Sequence, residues 1–159
     1  MDENQDLRKR LDYFLSGKGA HIGLEKVLLD YPEEYRGKTH PAIPYSAWQL
    51  LEHMRIAQWD ILEFSINKDH ESPEWPAGYW PAEQNPPSKD SWDASVQQFF
   101  RDLKKMQKLV DNPATDLHSN IPHGSGQNIL REALLVADHN AYHLGQLVML
   151  KKILESDKM

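Results

Sequence analysis

Cysteine is missing from this chain altogether. Its absence excludes disulfides, thiolate metal ligands and a thiol nucleophile belonging to the protein. A transition metal, if one binds, must be held by histidine or carboxylate. No apolar run approaches the roughly eighteen residues that a spanning helix needs, so no membrane partner is expected. Long Lys/Arg runs are absent too, and 18 basic against 24 acidic residues leave a formal charge of −6. Nucleic-acid binding needs a basic footprint and is therefore not expected. There is no P-loop, no dinucleotide fingerprint and no nucleophile elbow. The first residues, Met1-Asp2-Glu3-Asn4-Gln5, are acidic and polar, unlike a signal peptide, which points to a cytoplasmic protein.

Strand alternation bounded by hairpin turns is also lacking. What the chain does have is four segments of helical apolar periodicity separated by loops rich in Pro and Gly. Its 159 residues, 40% of them hydrophobic, suit one domain spanning 1–159. The first segment runs from about Asp6 to Asp30 with Leu7, Leu11, Phe14, Ile22 and Leu28 on its stripe. Gly17 and Gly19 make a kink or a break plausible inside it. The second runs from Ser46 to about Ile66, and Ser46-Ala47-Trp48-Gln49 reads as a capping box. The third covers about Ser91 to Val110, and the fourth about Asn128 to Leu154. The expected fold is all-α, a four-helix bundle with long connecting loops. The connectors, 31–45, 67–90 and 111–127, exceed the usual short bundle loop. The middle one carries Pro73-Glu74-Trp75-Pro76-Ala77-Gly78-Tyr79-Trp80-Pro81. Its rings are expected to cover the end of the core, with a lid as the alternative.

The chemistry rests on histidine. In Asp138-His139-Asn140-Ala141-Tyr142-His143 two imidazoles stand one turn apart, about 5–6 Å at Cβ, on one helix face. That face continues through Glu132, Val136 and Gln146, a polar row on an otherwise apolar helix whose groups need partners. His53 lies in the second segment on a second polar line with Gln49 and Asp60. Facing polar lines suggest a shared internal site, and three neutral nitrogens that leave a position open are the pattern of a catalytic metal. The simpler alternative is buried imidazoles bonded to backbone or neighbours. Gln49, His21 and Gln146 are further pocket candidates, although His21 with Glu25 also reads as the polar boundary of the first helix. His40, His70, His118 and His123 lie in loops and are expected to be solvated. Tyr142 is offset from the ligand face and reads as core or as support for the ligands.

The segment from Ser46 to Ile61, with its Gln49-Leu50-Leu51-Glu52-His53, and the segment from Leu130 to Leu147, with its His139 and His143, together resemble the DinB-like superfamily. These are four-helix metalloenzymes with one histidine from the second helix and an H-x-x-x-H pair from the last. The resemblance spans nearly the whole chain. It implies a divalent transition metal, zinc or nickel, on His53, His139 and His143. It implies an activity among thiol-dependent transferases, isomerases and hydrolases that act on small reactive electrophiles. The thiol would be a low-molecular-weight cosubstrate such as bacillithiol or mycothiol. It also implies a homodimer. Asp60, two turns from His53, and Glu132, two turns from His139, are candidates for a general base or for orienting water. Glu132 could instead serve helix-dipole stabilisation. The competing expectations are a non-catalytic metal-binding stress-response bundle and a dimeric helical interaction module.

Overall fold

The computed structural model describes residues 3–157, so Met1 and Asp2 of the polar N-terminal stretch lie outside the described residues. Among these residues there are five α-helices and no strand: α1 Glu3–Leu15, α2 Leu24–Leu29, α3 Ala47–Ile66, α4 Ser91–Asp111 and α5 Ile129–Ser156. The four long helices form the bundle. α3 packs on α4 and α5, and α1 packs on the same two, so α1 and α3 are diagonal. No described helix is long and apolar enough to cross a membrane.

The first periodic segment is two helices. Its break falls at Gly17, whose φ of +67° is one that side-chain-bearing residues rarely adopt. A Cβ there would also meet Leu24 Cδ1 at 2.8 Å. The break changes which residues face inward. Leu11 and Leu15 are buried, while Phe14 on α1 and Ile22 in the connector are exposed, contrary to the continuous stripe expected of them. α2 is held by Trp92 of α4, whose indole N–H donates to the Leu28 carbonyl at 3.1 Å.

α3 starts where its sequence says it should. Ser46 Oγ accepts from the Gln49 N–H at 3.2 Å, and Gln49 Oε1 accepts from the Ser46 N–H at 3.1 Å, so two orphan donors are satisfied reciprocally. Leu50, Leu51, Met54 and Leu62 of α3 are fully buried with Phe99 and Met106 of α4 and Leu147 and Leu150 of α5. Each such side chain contributes about 1.5–3 kcal/mol by leaving water. One polar brace crosses this core. Gln58 of α3 donates to the Phe99 carbonyl of α4 at 2.7 Å and accepts from Asn140 of α5 at 2.8 Å. It therefore fixes α5 against α3 beside His139.

Arg8 ties α1 to the end of α4. Its buried guanidinium donates to the carbonyls of Val110, Asn112 (3.0 Å) and Thr115 (2.6 Å). A cation at a helix C-terminus satisfies orphan carbonyls and complements the dipole. Arg8→Met should lower unfolding free energy by about 2–3 kcal/mol, since charged hydrogen bonds carry about 1.5–3 kcal/mol each and only some will be replaced by water. Urea denaturation followed by circular dichroism measures this, and an unchanged midpoint would contradict it.

Candidate metal centre

His53 sits in the second turn of α3, and His139 and His143 sit one turn apart near the middle of α5. The packing of α3 on α5 turns the two helix faces toward each other. One ring nitrogen from each of the three residues lies within 4.8 Å of the other two. His53 Nε2 and His139 Nε2 are 3.1 Å apart. Nitrogens on one tetrahedral ion at about 2.0–2.1 Å are about 3.3 Å apart, so the trio needs at most a closure of about 1.5 Å to hold a metal.

The hydrogen-bond partners decide which nitrogens are available. His53 Nδ1 is 3.0 Å from the Tyr79 carbonyl, which can only accept, so Nδ1 carries the proton and Nε2 the lone pair. His143 Nδ1 is 2.7 Å from Gln146 Oε1, an acceptor, with the same result for its Nε2. Such outer partners are what a metal-ligating histidine requires. His53 is 3% and His143 6% exposed, with His139 the most accessible of the three. Burial, with His143 as like charge and against the Tyr79 bond, pushes His53 down to about 4. Burial first, then His143 and His53 as like charges, pushes His139 down to about 3. Burial also lowers His143, against the bond to Gln146. All three imidazoles are therefore neutral at physiological pH, the state in which they ligate metals.

The connector 67–90 forms one wall. The Trp80 ring stacks on His53 at 3.8 Å and 4°, and Tyr45 stacks on Trp80 at 4.1 Å and 18°. Of the loop's rings, Trp80 does more than cover the end of the core, because it lies on His53, whereas Trp75 is exposed. Neither Tyr45, Trp80 nor the Tyr79 carbonyl stands out in the sequence as part of the site. The aromatic loop is the only signal, and periodicity cannot place a loop.

Most of the other candidates fall elsewhere. Gln146 reaches the trio through His143. Gln49 is spent on the capping box and on a 3.4 Å bond to the Pro81 carbonyl. His21 is exposed and bonds the Ile22 carbonyl at 2.9 Å, away from the trio. Asp60 has both oxygens engaged, Oδ1 by His70 at 2.7 Å and Oδ2 by the Tyr79 hydroxyl at 2.6 Å. Burial first, then Asp60, pushes the Tyr79 hydroxyl up to about 12, so it keeps the proton it donates. Glu132 is buried in the first turn of α5 and paired with Arg131 at 2.5 Å. His70, expected to be solvated, has a buried side chain, because Asp60 supplies it with a partner inside. Tyr142, expected in the core or behind the ligands, is 64% exposed. A groove of about 980 Å³ bordered by Ile66, Leu109, Ile121 and His123 lies near the C-terminal end of α3. Thirteen residues of helix, about 20 Å, separate Ile66 from His53, so that groove does not serve the histidines.

The model of the DinB superfamily matches residues 23–147, well over half of the chain and inclusive of all three histidines. No curated protein and no solved structure matches. The chain belongs to the DinB superfamily.

The neutral trio has a pH signature. Folded pKa values below the unfolded value of about 6.5 mean that the unfolded chain takes up protons first as pH falls. Stability of the metal-free protein is thus complete above about pH 6.5 and declines as pH falls to about 3. His139→Gln should reduce the loss between pH 7 and pH 5 by on the order of 1–2 kcal/mol. Urea denaturation in chelator at the two pH values tests this, and equal losses in both proteins would refute a buried neutral His139.

Proposed function

We propose that this DinB-superfamily bundle is a divalent-metal-dependent enzyme, with zinc or nickel on His53, His139 and His143. It would join a low-molecular-weight thiol to a small reactive electrophile, or hydrolyse such a molecule. The observation that carries the reading is the convergence of three neutral imidazoles with two Nδ1 protons already committed outward, to Tyr79 and Gln146. Three neutral ligands suit a metal with a position left for substrate, whereas structural sites are closed by four protein ligands. Imidazole suits both zinc and nickel. When bound, the ion supplies Lewis acidity that makes a water or a thiol a better nucleophile near neutral pH.

The chain's own residues shape the rest. With no cysteine in the sequence, any thiol arrives as cosubstrate. Trp80 and Tyr45 wall the His53 side, exclude water there and offer an apolar surface to an electrophile. Approach is from the side of His139, the most accessible of the ligands. A cytoplasmic location, where such thiols are found, belongs to the same reading. A dimeric interaction module is the second reading. It is favoured by the outward face of α5, where Leu134, Tyr142 and Met149 are exposed, and a homodimer through that face is compatible with catalysis.

Tag-free protein should carry about one transition-metal ion per chain by elemental analysis, and His139→Ala and His143→Ala should carry almost none. Turnover of a low-molecular-weight thiol with an electrophile, or of an activated ester, should vanish on chelation and return with zinc or nickel. Full metal occupancy in either variant would defeat the ligand assignment. Occupancy without turnover of any such pair would favour a non-catalytic metal-binding bundle.

A further inference from the structure

Asp60 stands seven residues after His53 on α3, about 10.5 Å along the axis and on the same face. It is 9% exposed. A carboxylate so deeply placed must be satisfied, and both partners come from the connector after α3. His70 bonds one oxygen and the Tyr79 hydroxyl bonds the other. The His70 ring is also packed edge-on against Trp59 at 5.1 Å. One side chain thus fastens the connector at two points nine residues apart.

Beyond that clamp the connector runs back along α3 as a strap. The Tyr79 carbonyl accepts from His53 Nδ1, the Trp80 ring lies on the His53 ring, the Pro81 carbonyl accepts from Gln49, and the Gln84 carbonyl accepts from Ser46 Oγ at 2.6 Å. Tyr79 has two jobs in this arrangement. Its hydroxyl is held by Asp60 and its carbonyl holds His53. The hydroxyl bond therefore helps to place the carbonyl, together with the strap's anchors at Gln49 and Ser46. If the clamp opens, His53 loses the acceptor that fixes its tautomer and the ring that fixes its plane.

We propose that Asp60 is a positioning residue for the three-histidine centre, acting through Tyr79 and His70 to keep His53 Nε2 aimed at His139 and His143. The role is indirect. Asp60 touches neither the trio nor anything bound to it, and its two oxygens are already occupied. The inference rests on the proposed metal site for its functional meaning, but its structural content stands without metal, because the tautomer of His53 is set by protein groups alone.

Two readouts separate the clamp from the metal reading. The first uses metal-free protein. Long-range ¹H–¹⁵N NMR of the imidazoles should show His53 in its Nδ1–H form in the wild type, and a mixture of tautomers in Asp60→Ala and in Tyr79→Phe. The second uses Co²⁺ as probe, with affinity from chelator competition and geometry from the visible ligand-field bands. Asp60→Ala should bind Co²⁺ more weakly, by up to the about 10–100-fold that follows when the outer partner of a ligating histidine is itself lost. Tyr79→Phe removes one oxygen atom and leaves the backbone carbonyl in place. It should lose affinity in the same direction, with a smaller change. Asp60→Asn can still accept from the Tyr79 hydroxyl and should recover most of the affinity. Should Asp60→Ala fail to fold, Tyr79→Phe and His70→Gln carry the test. Wild-type tautomer and wild-type Co²⁺ affinity in Tyr79→Phe and Asp60→Ala would overturn the proposal. A wild-type protein with the Nδ1–H tautomer, lost in the variants, but with no Co²⁺ binding would defeat the metal reading and leave the clamp standing.

Discussion

Polar nitrogen cannot be buried in an apolar bundle without a partner, and most of this structure's less regular features answer that demand. Three imidazoles lie between α3 and α5 with their charged forms disfavoured by burial and, for His53 and His139, by like charge on their histidine neighbours. Two of them send a proton outward, one to a backbone carbonyl and one to a side-chain amide. What remains between them is a set of ring nitrogens within a few ångströms, with His53 Nε2 and His139 Nε2 in hydrogen-bond contact at 3.1 Å. A divalent cation is the partner that such a set suits.

That demand reaches well past the histidines. The Tyr79 carbonyl is available only because the connector 67–90 lies along α3, and the connector lies there because Asp60, Gln49 and Ser46 hold it. Gln49 and Ser46 also begin α3. The same two side chains thus set the start of the helix that carries His53 and receive the end of the strap that covers it. On the other side, Gln58 and Asn140 fix the register of α5 one residue beyond His139. Helix capping, loop docking and core polarity converge on one site.

Much of this is legible in the residues. The period of Leu50, Met54 and Ile61 places α3, the Ser46–Gln49 pair marks its start, and the spacing of His139 and His143 puts two imidazoles on one face. Gln146 is visible for the same reason, being one turn from His143. The helix break at Gly17 is signalled, but its consequence for Phe14 and Ile22 is not, because a left-handed turn re-aims the next residues in a way no periodicity records. The loop partners are the least legible. His70 reads as solvated because it lies in a loop, and Asp60 reads as available because its partners are ten and nineteen residues away. Contacts between a helix and an aperiodic segment depend on where the segment docks, and docking is a property of the folded chain.

The proposed centre holds one ion on His53, His139 and His143 and on no other side chain. X-ray absorption at the metal edge of zinc-loaded protein tests it most directly. Three imidazole nitrogens at about 2.0–2.1 Å with one light exogenous ligand are expected, with the loss of one imidazole in His53→Ala. A shell dominated by carboxylate oxygen, or a nitrogen count that His53→Ala leaves unchanged, would contradict it.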